Sequence, residues 1–109
     1  MSDFVDAARL DQVPAGTSIV VEISGKSVAL FNVGGQIYAI DDTCPHAGAS
    51  LGIGKLDGQV VTCPWHGTKI DVKNGCFPAS SGFAVASYPV MVLAGKIMVA
   101  LDAPQVKTG

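Results

Sequence analysis

The sequence predicts an all-β chain folded as an antiparallel β-sandwich or small barrel. Three observations support this prediction: short runs rich in β-branched and other apolar residues, glycine-containing turn pairs between the runs, and no long stretch with helical periodicity. Strands that are this short and closely spaced pair as hairpins, and the hairpins then bury one face against another sheet.

The first half of the chain contains three strand-like runs. They cover residues 17–23, 26–32 and 36–40. A Ser-Gly pair at residues 24–25 and a Gly-Gly pair at 34–35 separate them. Because glycine readily adopts the positive φ of tight hairpin turns, these pairs predict two consecutive hairpins.

The second half repeats this pattern with four further runs. They cover residues 59–62, 69–72, 85–93 and 96–101. The turn signals are Asp-Gly, Asn-Gly and Ala-Gly, at residues 57–58, 74–75 and 94–95. These runs extend the predicted antiparallel architecture to the end of the chain.

Length and charge limit the function. The chain has 109 residues and a net charge of −2, which predicts one domain without a basic face for nucleic acid. No stretch has the apolar length of a transmembrane helix, and the first residues lack the basic and then apolar run of a signal peptide. We therefore expect a cytoplasmic protein that binds neither membranes nor nucleic acid.

Two short motifs contain both histidines of the chain and two of its three cysteines. They are Cys-Pro-His, with Cys44 and His46, and Cys-Pro-Trp-His, with Cys63 and His66. A tetrahedral zinc site also takes two Cys and two His, but zinc fingers usually pair Cys with Cys and His with His. Here each motif mixes the two residue types. Mixed loops suit a 2Fe-2S cluster in which two thiolates bind one iron and two imidazoles bind the other.

With these motifs the chain resembles Rieske-type ferredoxins, from residue 4 to about residue 101. The resemblance implies the Rieske fold, with one Rieske-type 2Fe-2S cluster bound by Cys44, His46, Cys63 and His66. It also implies a single domain over residues 1–109, an inserted cluster-binding subdomain at about 42–78, and a flexible tail from about 103.

The resemblance extends to function. Similar proteins are ferredoxin components of bacterial aromatic ring-hydroxylating dioxygenase systems, which act in aromatic hydrocarbon catabolism. They carry one electron at a time from an NAD(P)H-dependent flavoprotein ferredoxin reductase to a terminal oxygenase. The chain is therefore expected to be an electron-transfer component and not itself an enzyme.

Three positions differ from the high-potential branch of this family. Ala49 and Trp65 stand where that branch has the cysteines of an extra disulfide, and Ile70 replaces a tyrosine whose hydroxyl bonds a ligand sulfur. Each missing donor leaves the negative charge of the reduced cluster less stabilised. We expect a potential at the low end of the Rieske range, roughly −150 mV.

Residues around the motifs have predicted roles of their own. Four glycines are expected to adopt positive φ and to present N–H groups to the cluster: Gly48, Gly52, Gly54 and Gly67. An apolar docking rim is expected around the imidazoles, formed by Pro45, Ala47, Leu51, Pro64 and Trp65. The two motif loops are expected at the tips of adjacent hairpins. Cys76, the third cysteine, is expected to be a free thiol.

Two alternatives remain open from the sequence. The chain could be a Rieske-like small subunit of an assimilatory nitrite reductase, although those often lack some ligands and all four are present here. It could also be a zinc-bound or metal-free interaction module that retains the fold.

Overall fold

The computed structural model describes residues 4–23, 25–42, 50–62, 69–72 and 87–100. Within these ranges the chain forms ten β-strands and two 3₁₀ helices of one turn each. The strands are β1 (Phe4–Arg9), β2 (Ser18–Ile23), β3 (Lys26–Val33), β4 (Gln36–Asp41), β5 (Lys55–Asp57), β6 (Val60–Thr62), β7 (Lys69–Asp71), β8 (Ser87–Tyr88), β9 (Val90–Leu93) and β10 (Lys96–Ala100). The 3₁₀ helices are η1 (Leu10–Gln12) and η2 (Leu51–Ile53). This part of the chain contains no helix with the length and apolar character needed to cross a membrane.

The described strands form three antiparallel sheets. The outer sheet has the order β1-β10-β9, the central sheet β2-β3-β4-β8, and the small sheet β5-β6-β7. Every strand pair in them is antiparallel. The all-β class predicted from the sequence is confirmed.

The central sheet is the middle layer, because strand β3 is buried on both faces. Val28 and Leu30 point into a core shared with Ile97 and Val99 of the outer sheet. The alternate residue Phe31 points the other way. With Ala29 it packs in a second core that contains Leu51, Val61, Ile70 and Val72. Successive side chains of a strand point to opposite faces, so one strand links both cores.

The hairpin turns of the first half form as predicted. Strand β2 pairs with β3 and β3 with β4, and the turn glycines Gly25, Gly34 and Gly35 have positive φ. Buried Asn32 fixes the second turn, since its side-chain carbonyl accepts the Gly35 N–H at 2.8 Å. Its amide group also donates to the Val13 carbonyl at 2.7 Å, which ties the segment before β2 to the central sheet.

Several elements differ from the sequence prediction. The described part of the predicted run 85–93 forms two strands, β8 in the central sheet and β9 in the outer sheet, and Pro89 separates them. Proline has no backbone N–H to donate to a ladder, so the chain changes sheets there. Strands β1 and β5 were not predicted, because alanines and polar residues interrupt β1, and β5 has a single apolar residue between two charged ones.

Tyr88 of β8 fixes the end of β4. Its hydroxyl donates to Asp41 Oδ1 at 2.5 Å, and Lys26 Nζ lies 5.8 Å from the centre of its ring. Burial raises the pKa of Tyr88 well above its ordinary value, and the hydrogen bond to Asp41 and the charge of that carboxylate raise it further. Tyr88 therefore holds its proton in the fold under conditions where the unfolded chain would lose it.

We expect the chain to lose stability as the pH rises through about 10, the ordinary tyrosine pKa. Above that pH the unfolded state releases the Tyr88 proton and the folded state keeps it, so unfolding becomes more favourable. Tyr88→Phe should remove this part of the alkaline loss while costing about 0.5–1.5 kcal/mol at neutral pH. Unfolding midpoints measured between about pH 7 and 11 test this, with Tyr38→Phe as the control that keeps the alkaline loss. Identical alkaline slopes for Tyr88→Phe and the unaltered chain would contradict the prediction.

Candidate metal centre

The four predicted ligands, Cys44, His46, Cys63 and His66, lie outside the described residues. The structure describes the chain on both sides of each motif. We call residues 43–49 the first ligand segment and residues 63–68 the second ligand segment. The structure therefore shows the residues that flank these two segments on each side.

A buried aspartate closes the base of the first ligand segment. Asp42, with 6% of its surface exposed, accepts hydrogen bonds at Oδ1 from the Ser50 hydroxyl at 2.8 Å and from the Gly52 N–H at 2.7 Å. Its main-chain carbonyl accepts the Leu51 N–H at 2.6 Å. A carboxylate that accepts several hydrogen bonds at a buried site is a strong and specific contact. The residue before the segment is thus fastened to the three residues after it, and we call this arrangement the Asp42 clasp.

The clasp is also attached to the central sheet. The Asp42 N–H donates to the Ser27 carbonyl at 3.2 Å, and the Ser18 hydroxyl donates to the Gly52 carbonyl at 2.8 Å. Strands β2 and β3 therefore hold the two sides of the clasp. The base of the first ligand segment is built on the rigid middle layer of the fold.

Gly52 and Gly54 belong to this arrangement, but the positive φ and the available N–H groups predicted for them are wrong. Neither has positive φ. Their N–H groups are already used, because Gly52 donates to Asp42 and Gly54 donates to the Leu51 carbonyl. What each position requires is the absence of a Cβ atom. On Gly52 a Cβ would overlap the Val20 side chain and lie 3.1 Å from Asp42 Oδ1. The other two glycines of that prediction, Gly48 and Gly67, lie outside the described residues.

The second ligand segment connects the two strands of a hairpin. Strand β6 ends at Thr62, β7 begins at Lys69, and these two residues are cross-strand partners. The hairpin prediction is confirmed here and wrong for the first ligand segment. That segment follows β4, which pairs with β3 and β8, and it precedes β5, which pairs with β6. The first segment is a crossover between two sheets, because β4 and β5 do not share a ladder.

A close contact brings the bases of the two ligand segments together. Gly54 lies against the end of β6, where a Cβ on Gly54 would overlap the Thr62 carbonyl oxygen and lie 3.0 Å from the Val61 side chain. Lys55 then pairs with Thr62 in the small sheet. Gly54, five residues after the first segment, is therefore adjacent to Thr62, the residue that precedes the second segment. A single group bound by ligands from both segments requires this adjacency, so the donor set of two thiolates and two imidazoles fits the arrangement.

Among the described residues no three His, Cys, Asp or Glu side chains converge on a second place where a metal could bind. Ile70, which stands where the high-potential branch has a tyrosine, is fully buried in the core with Phe31 and Val61. Its hydrocarbon side chain can donate no hydrogen bond there.

The predicted docking rim needs one correction. Leu51 is fully buried in the core between the central and small sheets, so it cannot contact a partner. Ile53, two residues further on, has 71% of its surface exposed. The sequence did not distinguish them, because both are large apolar residues next to glycines. The 3₁₀ turn η2 places the first inward and the third outward. The remaining members of the rim lie outside the described residues.

We expect Asp42→Asn to destabilise the chain by about 1–3 kcal/mol, because the amide loses the charge that strengthens two buried hydrogen bonds. The thermal midpoint, recorded at one scan rate for all variants, measures this effect. Asp57→Asn is the matched control, since Asp57 is an exposed carboxylate on β5 and should leave the midpoint unchanged. Equal midpoints for the two variants would show that the clasp contributes little.

Truncation of the two apolar residues of η2 should have opposite outcomes. Leu51→Ala should cost about 2–5 kcal/mol because it leaves a cavity in the core. Ile53→Ala should stay within about 0.5 kcal/mol, since most of its surface already faces solvent. Urea unfolding of both variants gives the comparison. A large loss for Ile53→Ala, or a negligible one for Leu51→Ala, would contradict the burial seen in the structure.

Comparisons with known proteins agree with this geometry. Residues 3–89 match the family model of the Rieske [2Fe-2S] domain. The ferredoxin component of the naphthalene 1,2-dioxygenase/salicylate 5-hydroxylase systems of Ralstonia sp is 35% identical over 103 residues, which are 92% of this chain and 97% of that protein.

Solved structures extend the likeness to the fold. The ferredoxin of carbazole 1,9a-dioxygenase from Nocardioides aromaticivorans IC177 matches with a TM-score of 0.82 at 32% identity, over 91% of this chain and 98% of its own. A chain in the complex of reduced oxygenase and oxidized ferredoxin in carbazole 1,9a-dioxygenase matches with a TM-score of 0.83 at 31% identity, over 98% of this chain and 100% of its own.

These matches confirm the Rieske-type 2Fe-2S cluster as the cofactor, and neither the zinc alternative nor the nitrite reductase alternative gains support from them. The chain therefore belongs to the Rieske [2Fe-2S] family, within which it is an electron-transfer ferredoxin and not a catalytic oxygenase.

Proposed function

We propose that this chain is a cytoplasmic one-electron carrier that receives electrons from an NAD(P)H-dependent flavoprotein reductase and delivers them to a terminal ring-hydroxylating oxygenase. The observation that supports this most directly is the contact of Gly54 with Thr62, which joins the bases of two segments that each contain one Cys and one His. The likeness to ferredoxin components over nine-tenths of the chain supports the assignment to a dioxygenase system.

In this proposal Cys44, His46, Cys63 and His66 bind the cluster. The cluster, when bound, supplies the ability to accept and release one electron. The thiolates of Cys44 and Cys63 bring negative charge to one iron, and the neutral imidazoles of His46 and His66 bind the other. Because each segment provides one residue of each kind, both segments are needed for either iron.

The protein around the segments sets their position. The Asp42 clasp closes the first segment, and the Thr62–Lys69 pair closes the second. Fixed flanking residues reduce the conformational entropy that cluster binding must remove from the ligand segments. The same rigidity suits an electron carrier, because the protein around the cluster then rearranges little when the electron arrives or leaves.

The domain boundaries form part of the proposal. We assign residues 1–109 to one domain, with a cluster-binding subdomain at about 42–78; the tail predicted from about 103 lies outside the described residues. The small sheet, β5 to β7, and η2 belong to that subdomain. Their core is not separate, since Val61 and Ile70 pack against Phe31 of the central sheet.

We expect the purified protein to be red-brown, to contain two irons and two acid-labile sulfides, and to give the low average g value of a mixed His/Cys cluster after anaerobic reduction with dithionite. Cys44→Ser, Cys63→Ser, His46→Ala and His66→Ala should each abolish that signal. Cys76→Ser is the matched control, because it removes a thiol outside the ligand motifs and should leave iron and signal unchanged. A colourless protein with one zinc, or loss of the signal in Cys76→Ser, would contradict the proposed ligand set.

A further inference from the structure

Charged side chains are sorted along the solvent face of the small sheet. Leu56, Val61 and Ile70 point inward, so the residues on either side of each point outward. One outward row follows the register Lys55–Thr62–Lys69, and the other follows Asp57–Val60–Asp71. The row with the two lysines is the one that borders the second ligand segment, and the row with the two aspartates is further from it.

The lysines of this row are available to a partner. Both are exposed, and neither takes part in the ion pairs found among the described residues. Two strand spacings separate them, about 10 Å. The surface depression between them is lined by both lysines and by Asp57, Val60 and Thr62. The chain has a net charge of −2, yet the row that borders the second ligand segment has two lysines, while Asp57 and Asp71 stand in the other row of the same face.

The carboxylates nearest the first ligand segment do not offset this charge at the surface. Asp42 is buried and accepts the Ser50 and Gly52 hydrogen bonds, and Asp41 accepts the Tyr88 hydroxyl. Asp42 is thus shielded from solvent, and the half-buried Asp41 is engaged by Tyr88. The two lysines therefore remain exposed at the base of the second ligand segment.

Ile53 adds an apolar contact beside the lysines. With 71% of its surface exposed, it is the most exposed large apolar side chain among the described residues, and Lys55 follows two residues later. A single exposed apolar residue needs no special explanation. Here, however, the Asp42 clasp fixes the turn that carries it, so burying Ile53 against a partner would cost little ordering entropy.

We propose that Ile53, Lys55 and Lys69 form a docking face for the terminal oxygenase, which would present an apolar contact bordered by acidic residues. The inference rests on the proposed function, since it names the surface by which the carrier meets its acceptor. The lysines accelerate and orient encounter through their charge, and Ile53 contributes a desolvated contact close to the ligand segments.

Stopped-flow reduction of a terminal oxygenase by the pre-reduced protein tests the face, with the oxygenase of the naphthalene 1,2-dioxygenase system as the probe. We expect Lys55→Glu/Lys69→Glu to lower the second-order rate constant about tenfold at low ionic strength and to abolish its fall with added salt. Ile53→Asp should lower it by a similar factor at all salt concentrations. Iron content and the reduced-state spectrum of each variant should match those of the unaltered chain.

The chain offers matched controls on the outer sheet. Arg9 and Lys96 are also basic cross-strand partners, so Arg9→Glu/Lys96→Glu makes the same change in net charge far from the small sheet. Leu93, with 60% of its surface exposed, is the counterpart of Ile53. These control variants should keep rate constants within about twofold of the unaltered chain.

The outcomes separate the two proposals. If the unaltered chain reduces the oxygenase and the docking variants behave like their controls, this face is wrong and the proposed function stands. If the unaltered chain contains its cluster but reduces the oxygenase at no salt concentration, the proposed function is contradicted and the docking face falls with it.

Discussion

Burial of both faces of β3 is the constraint on which the rest of the structure depends. Most strands in a sandwich have one face in the core and one face toward solvent. Strand β3 instead places Val28 and Leu30 in the core with the outer sheet, and Ala29 and Phe31 in the core with the small sheet. The small sheet cannot bury its inner face without this strand, since three strands of three residues each form no independent core.

This arrangement explains how a sequence rich in glycine and proline around the predicted ligands is held at defined points. The Asp42 clasp connects the first ligand segment to β2 and β3, and the Gly54–Thr62 contact connects it to the second. Both closures are made by residues just outside the segments. The central sheet therefore fixes the positions of the residues that flank the ligand segments, through hydrogen bonds and close backbone packing.

The sequence was sufficient for the features that follow local rules. Hairpins with glycine turns and the all-β class depend on neighbouring residues, and these predictions are confirmed. The ligand motifs are also local patterns, and the assignment of their four residues stays a prediction. Features that depend on distant contacts were missed. Nothing local distinguishes buried Leu51 from exposed Ile53, or shows that Gly52 faces Val20 and not a cluster sulfide. The split at Pro89 had a local signal in the proline itself, but the change of sheet is a tertiary property.

The residues that hold the two ligand segments in place lie outside those segments. Asp42, Gly52, Gly54 and the Thr62–Lys69 pair hold the chain on either side of the ligand segments, and none of them is among the four predicted ligands. Residues between the closures can therefore change, and with them the hydrogen bonds offered to the metal centre, while the two cores keep their packing. A fold built in this way can be adapted to donors and acceptors of different potential by exchanging two short cassettes of six or seven residues.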